Sequence, residues 1–222
     1  MGQTVSLTAK DGHKLDAYVA TPAGKPKGGL VVIQEIFGAN HHIRSVADRF
    51  AAMGYAAVAP ALFDRVQRGV DLGYDLESVA KGRALREKVA LDGSLADVQA
   101  AIDYAKQFGK VGVVGYCWGG SLAFLAATRL SGATAAVGYY GGMIAGHANE
   151  KPRIPIILHF GDKDQSIPMS DVEKVKQAHA DVPIYVYSAG HGFNCDARPA
   201  YDAPSAKLAL ERTTAFLQQH IG

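Results

Sequence analysis

The segment Gly115–Gly119 places Cys117 between two glycines, each two residues away from it. It follows a short apolar run that ends at Val114 and precedes an apolar stretch typical of a helix. The glycines allow the tight turn between strand and helix on which hydrolases expose a nucleophile, with cysteine here in the usual serine position. The turn also places Cys117 near a helix N-terminus, where partial positive charge favours the thiolate. This context favours a nucleophile over the alternative, a buried structural cysteine in a glycine-rich turn.

A cysteine nucleophile needs a histidine base and a carboxylate that orients the histidine. In hydrolases with this turn, the three occur in the chain order nucleophile, acid, histidine. His191 lies in a glycine-rich loop directly after a predicted late strand, and Asp162 and Asp164 lie in the loop after the preceding strand. The sequence therefore predicts a triad of Cys117, one of these aspartates and His191. Either aspartate could instead cap a turn or a helix.

Acyl transfer also requires hydrogen-bond donors for the developing oxyanion. One donor is expected from the backbone N–H of Trp118, directly after the nucleophile. The other is expected from Ile36, in the loop that follows the third predicted strand. Glu35 in that loop is unusual, because a carboxylate at the end of a buried strand is costly without a partner. We interpret Glu35 either as an ordinary solvated residue or as a group that tunes the ionisation of Cys117.

The elements that position these loops alternate between strands and helices. Two strands joined by Asp11-Gly12 predict an N-terminal antiparallel hairpin. The alternation after it predicts an α/β protein with a mostly parallel central sheet, helices on both faces, and ligands bound at the carboxyl ends of the strands. No linker or repeat divides the chain, so we expect one domain over 1–222. The predicted strands are 3–8, 14–20, 30–33, 55–59, 111–114, 134–137, 154–160 and 183–187, and the predicted helices are 41–53, 76–90, 94–108, 118–130, 169–180 and 205–219.

Composition excludes several classes of protein. The 222 residues carry 23 Lys and Arg against 21 Asp and Glu, a net charge of +2, which argues against a nucleic-acid partner. A hydrophobic fraction of 48% excludes intrinsic disorder. No apolar run approaches membrane-spanning length, no signal peptide is evident, and two cysteines are too few for a disulfide framework. The pair His41-His42 lacks supporting metal ligands. We therefore expect a cytoplasmic protein with no membrane partner, no metal and no organic cofactor.

Together the motifs resemble the dienelactone hydrolase (carboxymethylenebutenolidase) family of the α/β-hydrolase fold. The resemblance extends over nearly the whole chain. It rests on four segments in order: Gln34-Glu35-Ile36-Phe37-Gly38, Val114-Gly115-Tyr116-Cys117-Trp118-Gly119-Gly120, Gly161-x-x-Asp164-x-x-x-Pro168 and Ala189-Gly190-His191-Gly192-Phe193.

The resemblance implies a triad of Cys117, His191 and Asp164, and so selects Asp164 over Asp162. It also implies that Glu35 contacts the thiol and deprotonates it when substrate binds. The thiolate would then attack the lactone carbonyl, open the ring and form an acyl-enzyme that water hydrolyses.

The family's substrate is anionic and is held by arginines, one of them four residues after the catalytic histidine. Here that position is Cys195, which cannot form the bidentate pair that a guanidinium makes with a carboxylate. We expect Arg198, three residues further on, and Arg83 and Arg86 of the basic segment 81–88 as substitutes. The alternatives are a structural Arg198 and a solvated helix face. Whether 61–90 forms a lid stays open.

The sequence thus predicts an enzyme that opens a lactone, or cleaves an activated ester, of a small-molecule substrate. The family resemblance implies that this substrate is anionic. One alternative is a broad-specificity carboxylesterase or thioesterase. Another, of a different class, is a thiol redox sensor on a hydrolase scaffold, in which Cys117 and Cys195 respond to oxidants.

Overall fold

Eight strands form a single sheet in the order β1-β2-β4-β3-β5-β6-β7-β8 in the computed structural model, which describes residues 2–222. The strands are β1 (Gln3–Thr8), β2 (Lys14–Ala20), β3 (Gly29–Ile33), β4 (Ala56–Pro60), β5 (Val111–Tyr116), β6 (Ala133–Tyr139), β7 (Ile156–Gly161) and β8 (Ile184–Tyr187). β1 and β2 form an antiparallel hairpin, and β2 pairs antiparallel with β4. All other pairs are parallel, so the predicted sheet is confirmed.

Within residues 2–222, six α-helices connect the strands or follow the last one. They are α1 (His41–Ala52), α2 (Leu76–Lys88), α3 (Leu91–Ala105), α4 (Trp118–Arg129), α5 (Met169–Ala178) and α6 (Ala203–Ile221). Asn40, Asp75 and Asp202 cap α1, α2 and α6, because each side-chain oxygen accepts a hydrogen bond from a backbone N–H three residues later.

Side-chain alternation along β5 shows that helices cover both faces of the sheet. Gly112 faces Leu217 and Ile221 of α6, whereas Gly115, three positions later, faces the start of α4. Successive residues of a strand point to opposite faces, so α6 and α4 lie on opposite sides of β5. Every residue of β3, β4, β5 and β7 is buried, as expected for strands covered on both faces.

The differences from the predicted boundaries are local. The strand expected from residue 154 begins at Ile156, directly after Pro155, which cannot donate a ladder hydrogen bond. The segment expected to be a loop over 61–75 contains a 3₁₀ helix at Leu62–Arg65, and another lies at Ile144–His147. Single 3₁₀ turns have too short a period to give a distinct hydrophobic pattern, so neither could be predicted.

Candidate active site

Cys117 lies at a strained turn directly after β5, with φ of 55° and ψ of −116°. Its N–H donates to the carbonyl of Tyr139 (3.0 Å), and its carbonyl accepts from the N–H of Ser121 (3.2 Å), so the backbone is fixed on both sides. A side chain at Gly115 would overlap the carbonyl of Gly119, which explains why this part of the turn contains glycine. The turn therefore holds the thiol at the N-terminus of α4 in a conformation that few non-glycine residues adopt.

His191 connects the thiol to Asp164. Its Nδ1 lies 2.7 Å from Asp164 Oδ2, and its Nε2 lies 3.1 Å from Cys117 Sγ. The side chain of Asp164 is 1% exposed. Its other oxygen accepts hydrogen bonds from the N–H groups of Ser166 (2.8 Å) and Ile167 (3.1 Å). The structure thus brings together the three residues predicted as a triad, whereas Asp162 is exposed.

The charged form of His191 is favoured in this setting. Burial lowers its pKa, but the hydrogen bonds to Asp164 and Cys117 outweigh burial and raise the pKa to about 10. A protonated His191 can donate from Nδ1 to the Asp164 carboxylate and from Nε2 to the sulfur of Cys117. The arrangement places an acid–base group within hydrogen-bond distance of the Cys117 sulfur.

Asp164→Asn is expected to lower the pKa of His191 from about 10 toward its ordinary value of 6.5, since the amide carries no charge to stabilise the imidazolium. Ester turnover should fall by on the order of a hundredfold or more. Titration of the His191 ring signals by NMR measures the pKa directly.

Asp162→Asn is the matched control, because this exposed aspartate lies two residues away on the same loop. It should leave both the pKa of His191 and turnover unchanged. Equal effects of the two substitutions would contradict the assigned role of Asp164.

The two predicted oxyanion donors have free N–H groups. Within residues 2–222, neither Ile36 N–H nor Trp118 N–H has a hydrogen-bond acceptor. Both residues line a cavity of about 530 Å³ that also exposes Cys117 and His191. A substrate carbonyl oxygen beside Cys117 could therefore accept hydrogen bonds from both N–H groups.

Glu35 is buried, 1% exposed, and pairs with Arg198 rather than with Cys117. Its Oε1 accepts a hydrogen bond from Arg198 Nη1 (3.0 Å), and its Oε2 has no partner within residues 2–222. The alternative of a solvated loop residue is therefore wrong. In this structure the ion pair with Arg198 replaces the thiol contact that the family resemblance implies for Glu35.

All three predicted substrate-binding arginines line the same cavity. Arg83 and Arg86 reach it from α2, and Arg198 reaches it from the loop after His191. A side chain at Gly82 would overlap the carbonyl of Ile36, so glycine allows α2 to lie directly against the oxyanion loop. Segment 61–90 thus contributes one wall of the cavity. Lys81 and Lys88, from the same basic segment, are exposed and do not line it.

Tyr140, whose ring packs beside His191, was missed in the sequence analysis. Its backbone is strained (φ 38°), its side chain is 1% exposed, and its ring centroid lies 5.2 Å from that of His191. The residue lies at the end of β6, before Gly141 and Gly142. The criterion that selected His191, a glycine-rich loop directly after a predicted parallel strand, also identifies Tyr140.

The remaining histidines and the second cysteine lie outside the triad. His159 is fully buried in the core, and its Nδ1 lies within hydrogen-bond distance of Tyr187 Oη (2.8 Å). Cys195 is a buried free thiol. Residues 2–222 contain no cluster of three or more His, Cys, Asp or Glu side chains arranged to bind a metal. None of the helices they form is both long and apolar enough to cross a membrane.

A mostly parallel sheet with helices on both faces, a strained turn that carries Cys117 after β5, and an aspartate and a histidine after later strands define an α/β-hydrolase fold. The family model of the dienelactone hydrolase family matches residues 15–221. The chain belongs to that family, whose members are named for hydrolysis of lactones.

Curated relatives and solved structures agree with this assignment. The chain is 34% identical to a carboxymethylenebutenolidase of Pseudomonas putida, over 96% of this chain and 94% of that one. It is also 34% identical to a carboxymethylenebutenolidase of Pseudomonas knackmussii, with the same coverage. The crystal structure of a protein assigned as a dienelactone hydrolase from Klebsiella pneumoniae superposes with a TM-score of 0.84, at 30% identity, covering 99% of this chain and 100% of that one.

Proposed function

We propose that the protein hydrolyses lactones or activated esters through a cysteine acyl-enzyme, with an anionic lactone of the dienelactone class as its substrate. The observation that carries the proposal is the continuous hydrogen-bonded set Cys117–His191–Asp164 beside two free backbone donors. Hydrolysis of a lactone or ester requires a nucleophile, an acid–base group and an oxyanion site, and these residues supply all three.

In the proposed reaction, the Cys117 thiolate attacks the lactone carbonyl carbon and the carbonyl oxygen becomes an oxyanion. Ile36 N–H and Trp118 N–H donate to this oxyanion. When the tetrahedral intermediate collapses, the ring C–O bond breaks and the His191 imidazolium protonates the leaving alkoxide. Neutral His191 then takes a proton from water, which attacks the thioester. The second tetrahedral intermediate then collapses with cleavage of the C–S bond, which restores the thiolate and releases the carboxylic acid. The acid loses its proton to solvent, and His191 is again the imidazolium.

The charge of the cavity supports an anionic substrate. Its lining includes Arg83, Arg86 and Arg198 and no Asp or Glu. Within residues 2–222, Arg83 and Arg86 have no carboxylate partner, and the one hydrogen bond from the Arg86 guanidinium goes to the weakly accepting sulfur of Met143 (3.0 Å). A substrate carboxylate would gain two charge-assisted contacts and displace only that weak interaction.

Turnover of cis- and trans-dienelactone beside neutral p-nitrophenyl acetate tests the substrate class. Arg83→Gln/Arg86→Gln is expected to raise KM for dienelactone by about a hundredfold or more, since each of the two lost charge-assisted contacts costs about 1.5 kcal/mol or more and about 1.4 kcal/mol corresponds to a tenfold change. KM for the neutral ester should change little.

Lys81→Gln/Lys88→Gln is the matched control, because it removes two charges from the same helix at positions outside the cavity. If the wild-type protein cleaves only neutral esters, the family substrate is excluded and a broad-specificity carboxylesterase or thioesterase becomes the better proposal.

A further inference from the structure

A second cavity, of about 220 Å³, lies between α1 and α6, on the side of β5 opposite α4. Its apolar walls include Val46, Phe50 and Met53 at the C-terminal part of α1, and Leu210 on α6. None of its lining residues belongs to the catalytic cavity. A cavity of about 150 Å³ with such walls can hold a benzene ring, so this one has room for a ring with a polar substituent.

Tyr116 lies in this cavity with an unpartnered hydroxyl. The side chain is only 3% exposed, and within residues 2–222 its hydroxyl has no hydrogen-bond partner. The hydroxyl itself keeps access to solvent, so either water or a molecule bound in the cavity can pair with it. Asn194, which also lines the cavity, likewise has no side-chain hydrogen bond within residues 2–222. Two neutral polar groups are thus available to a bound molecule.

The opening of the cavity carries positive charge. Lys207 is exposed and has no carboxylate within ion-pair distance in residues 2–222. Arg49 pairs with the exposed carboxylate of Asp196 (3.0 Å), which leaves most of its donors free. No Asp or Glu lines the cavity itself. Its electrostatic character therefore favours an anion at the opening and an apolar body inside.

We propose that this cavity is a second binding site, separate from the catalytic centre, for a small aromatic monocarboxylate. The ring packs between Phe50 and Leu210, and the carboxylate lies at the opening beside Lys207 and Arg49. A polar ring substituent reaches the hydroxyl of Tyr116.

The site is connected to the catalytic residues through aromatic packing. Tyr116 directly precedes Cys117 in the chain, and its ring centroid lies 6.4 Å from that of Tyr140. The Tyr140 ring in turn packs 5.2 Å from His191. Occupancy of the cavity is therefore expected to shift the NMR signals of His191 as well. Binding itself does not depend on the proposed hydrolysis, so a failure of either proposal leaves the other standing.

Titration with benzoate, followed by NMR, tests the site. We expect saturable shifts centred on Tyr116 and Leu210, and no comparable binding of uncharged benzyl alcohol. Lys207→Gln should weaken benzoate binding by up to about fivefold, the most that an exposed ion pair usually contributes. Lys174→Gln, an exposed lysine on α5 remote from both cavities, should have no effect. Ala206→Leu adds atoms at the cavity wall and should abolish binding.

Benzoate could also bind to the arginines of the catalytic cavity, so the titration is repeated with Arg83→Gln/Arg86→Gln. Shifts at Tyr116 that persist in this variant support the second site. Shifts confined to the catalytic cavity, equal binding of benzyl alcohol, or no saturation at millimolar benzoate would overturn the proposal. Sedimentation of the wild type and of Leu210→Glu tests whether a second copy of the chain occupies this face instead. A wild-type dimer that Leu210→Glu dissociates would make the face a contact between two copies and overturn the proposal.

Discussion

Cys117→Ala is expected to lower kcat/KM for p-nitrophenyl acetate by at least about a thousandfold. The residual oxyanion donors and the cavity can still bind the ester, but no other side chain can form the acyl intermediate. Ser121 lines the cavity, yet its Oγ accepts a hydrogen bond from Met143 N–H (3.0 Å), and His191 Nε2 faces Cys117 instead. Release of p-nitrophenol, read by absorbance, gives the rate.

Cys195→Ala is the matched control, since it removes the only other thiol, which is fully buried and does not line the catalytic cavity. It should keep turnover within a few-fold of wild type. Rapid quenching followed by mass spectrometry should find one acetyl group on the wild-type peptide that contains Cys117. Undiminished turnover by Cys117→Ala would exclude the cysteine mechanism. Loss of turnover with no acylated peptide under burst conditions would favour direct attack by water.

Most of the fold follows from local patterns in the sequence. Buried parallel strands such as β3 and β5 appear as continuous apolar runs, and glycines or capping residues mark where the helices begin and end. The loops that follow those strands then meet at one edge of the sheet. That geometry, together with the chain order of nucleophile, acid and histidine in hydrolases, predicts that Cys117 and His191 lie close together although they are 74 positions apart in the chain.

Local sequence patterns do not distinguish between two nearby aspartates as the acid of the triad. Asp162 and Asp164 have the same chemistry, and only the turn they occupy separates them. Asp164 is held inward by N–H donors from Ser166 and Ile167, whereas Asp162 is exposed. The conformation of such a loop depends on backbone hydrogen bonds, which the hydrophobic periodicity of the sequence does not predict.

The ion pair between Glu35 and Arg198 could not be predicted, because the partners are 163 positions apart in the chain. Two successive turns after His191, in which Cys195 N–H donates to Gly192 and Arg198 N–H donates to Cys195, fold the loop back on itself. They carry Arg198 into the cavity although it lies three residues beyond the position where the family resemblance places an arginine. Counting residues along the sequence from His191 therefore does not predict which side chain enters the cavity when the loop turns back on itself.

Arg198→Gln is expected to lower the free energy of unfolding by about 3 kcal/mol, the usual cost of removing one partner from a buried ion pair. The side chain of Glu35 is 1% exposed and that of Arg198 is 19% exposed, so the abandoned carboxylate has little access to water. One oxygen of Glu35 already lacks a partner, and the substitution would leave the other unpaired too. For a chain of this size, the melting temperature should fall by roughly 6–12 °C.

Urea denaturation of three variants isolates this effect. Arg49→Gln breaks an ion pair of the same 3.0 Å length with Asp196, but these side chains are 44% and 48% exposed, so its cost should stay below about 1 kcal/mol. Glu35→Gln/Arg198→Gln removes both charges and should be more stable than Arg198→Gln alone, because two amides can share a hydrogen bond without a buried charge. If Arg198→Gln unfolds at the wild-type urea concentration, the pair contributes nothing to stability. If the double variant is less stable than Arg198→Gln, the Glu35 carboxylate is stabilised by a group other than Arg198. In that case the unpaired carboxylate does not cause the lower free energy of unfolding of Arg198→Gln.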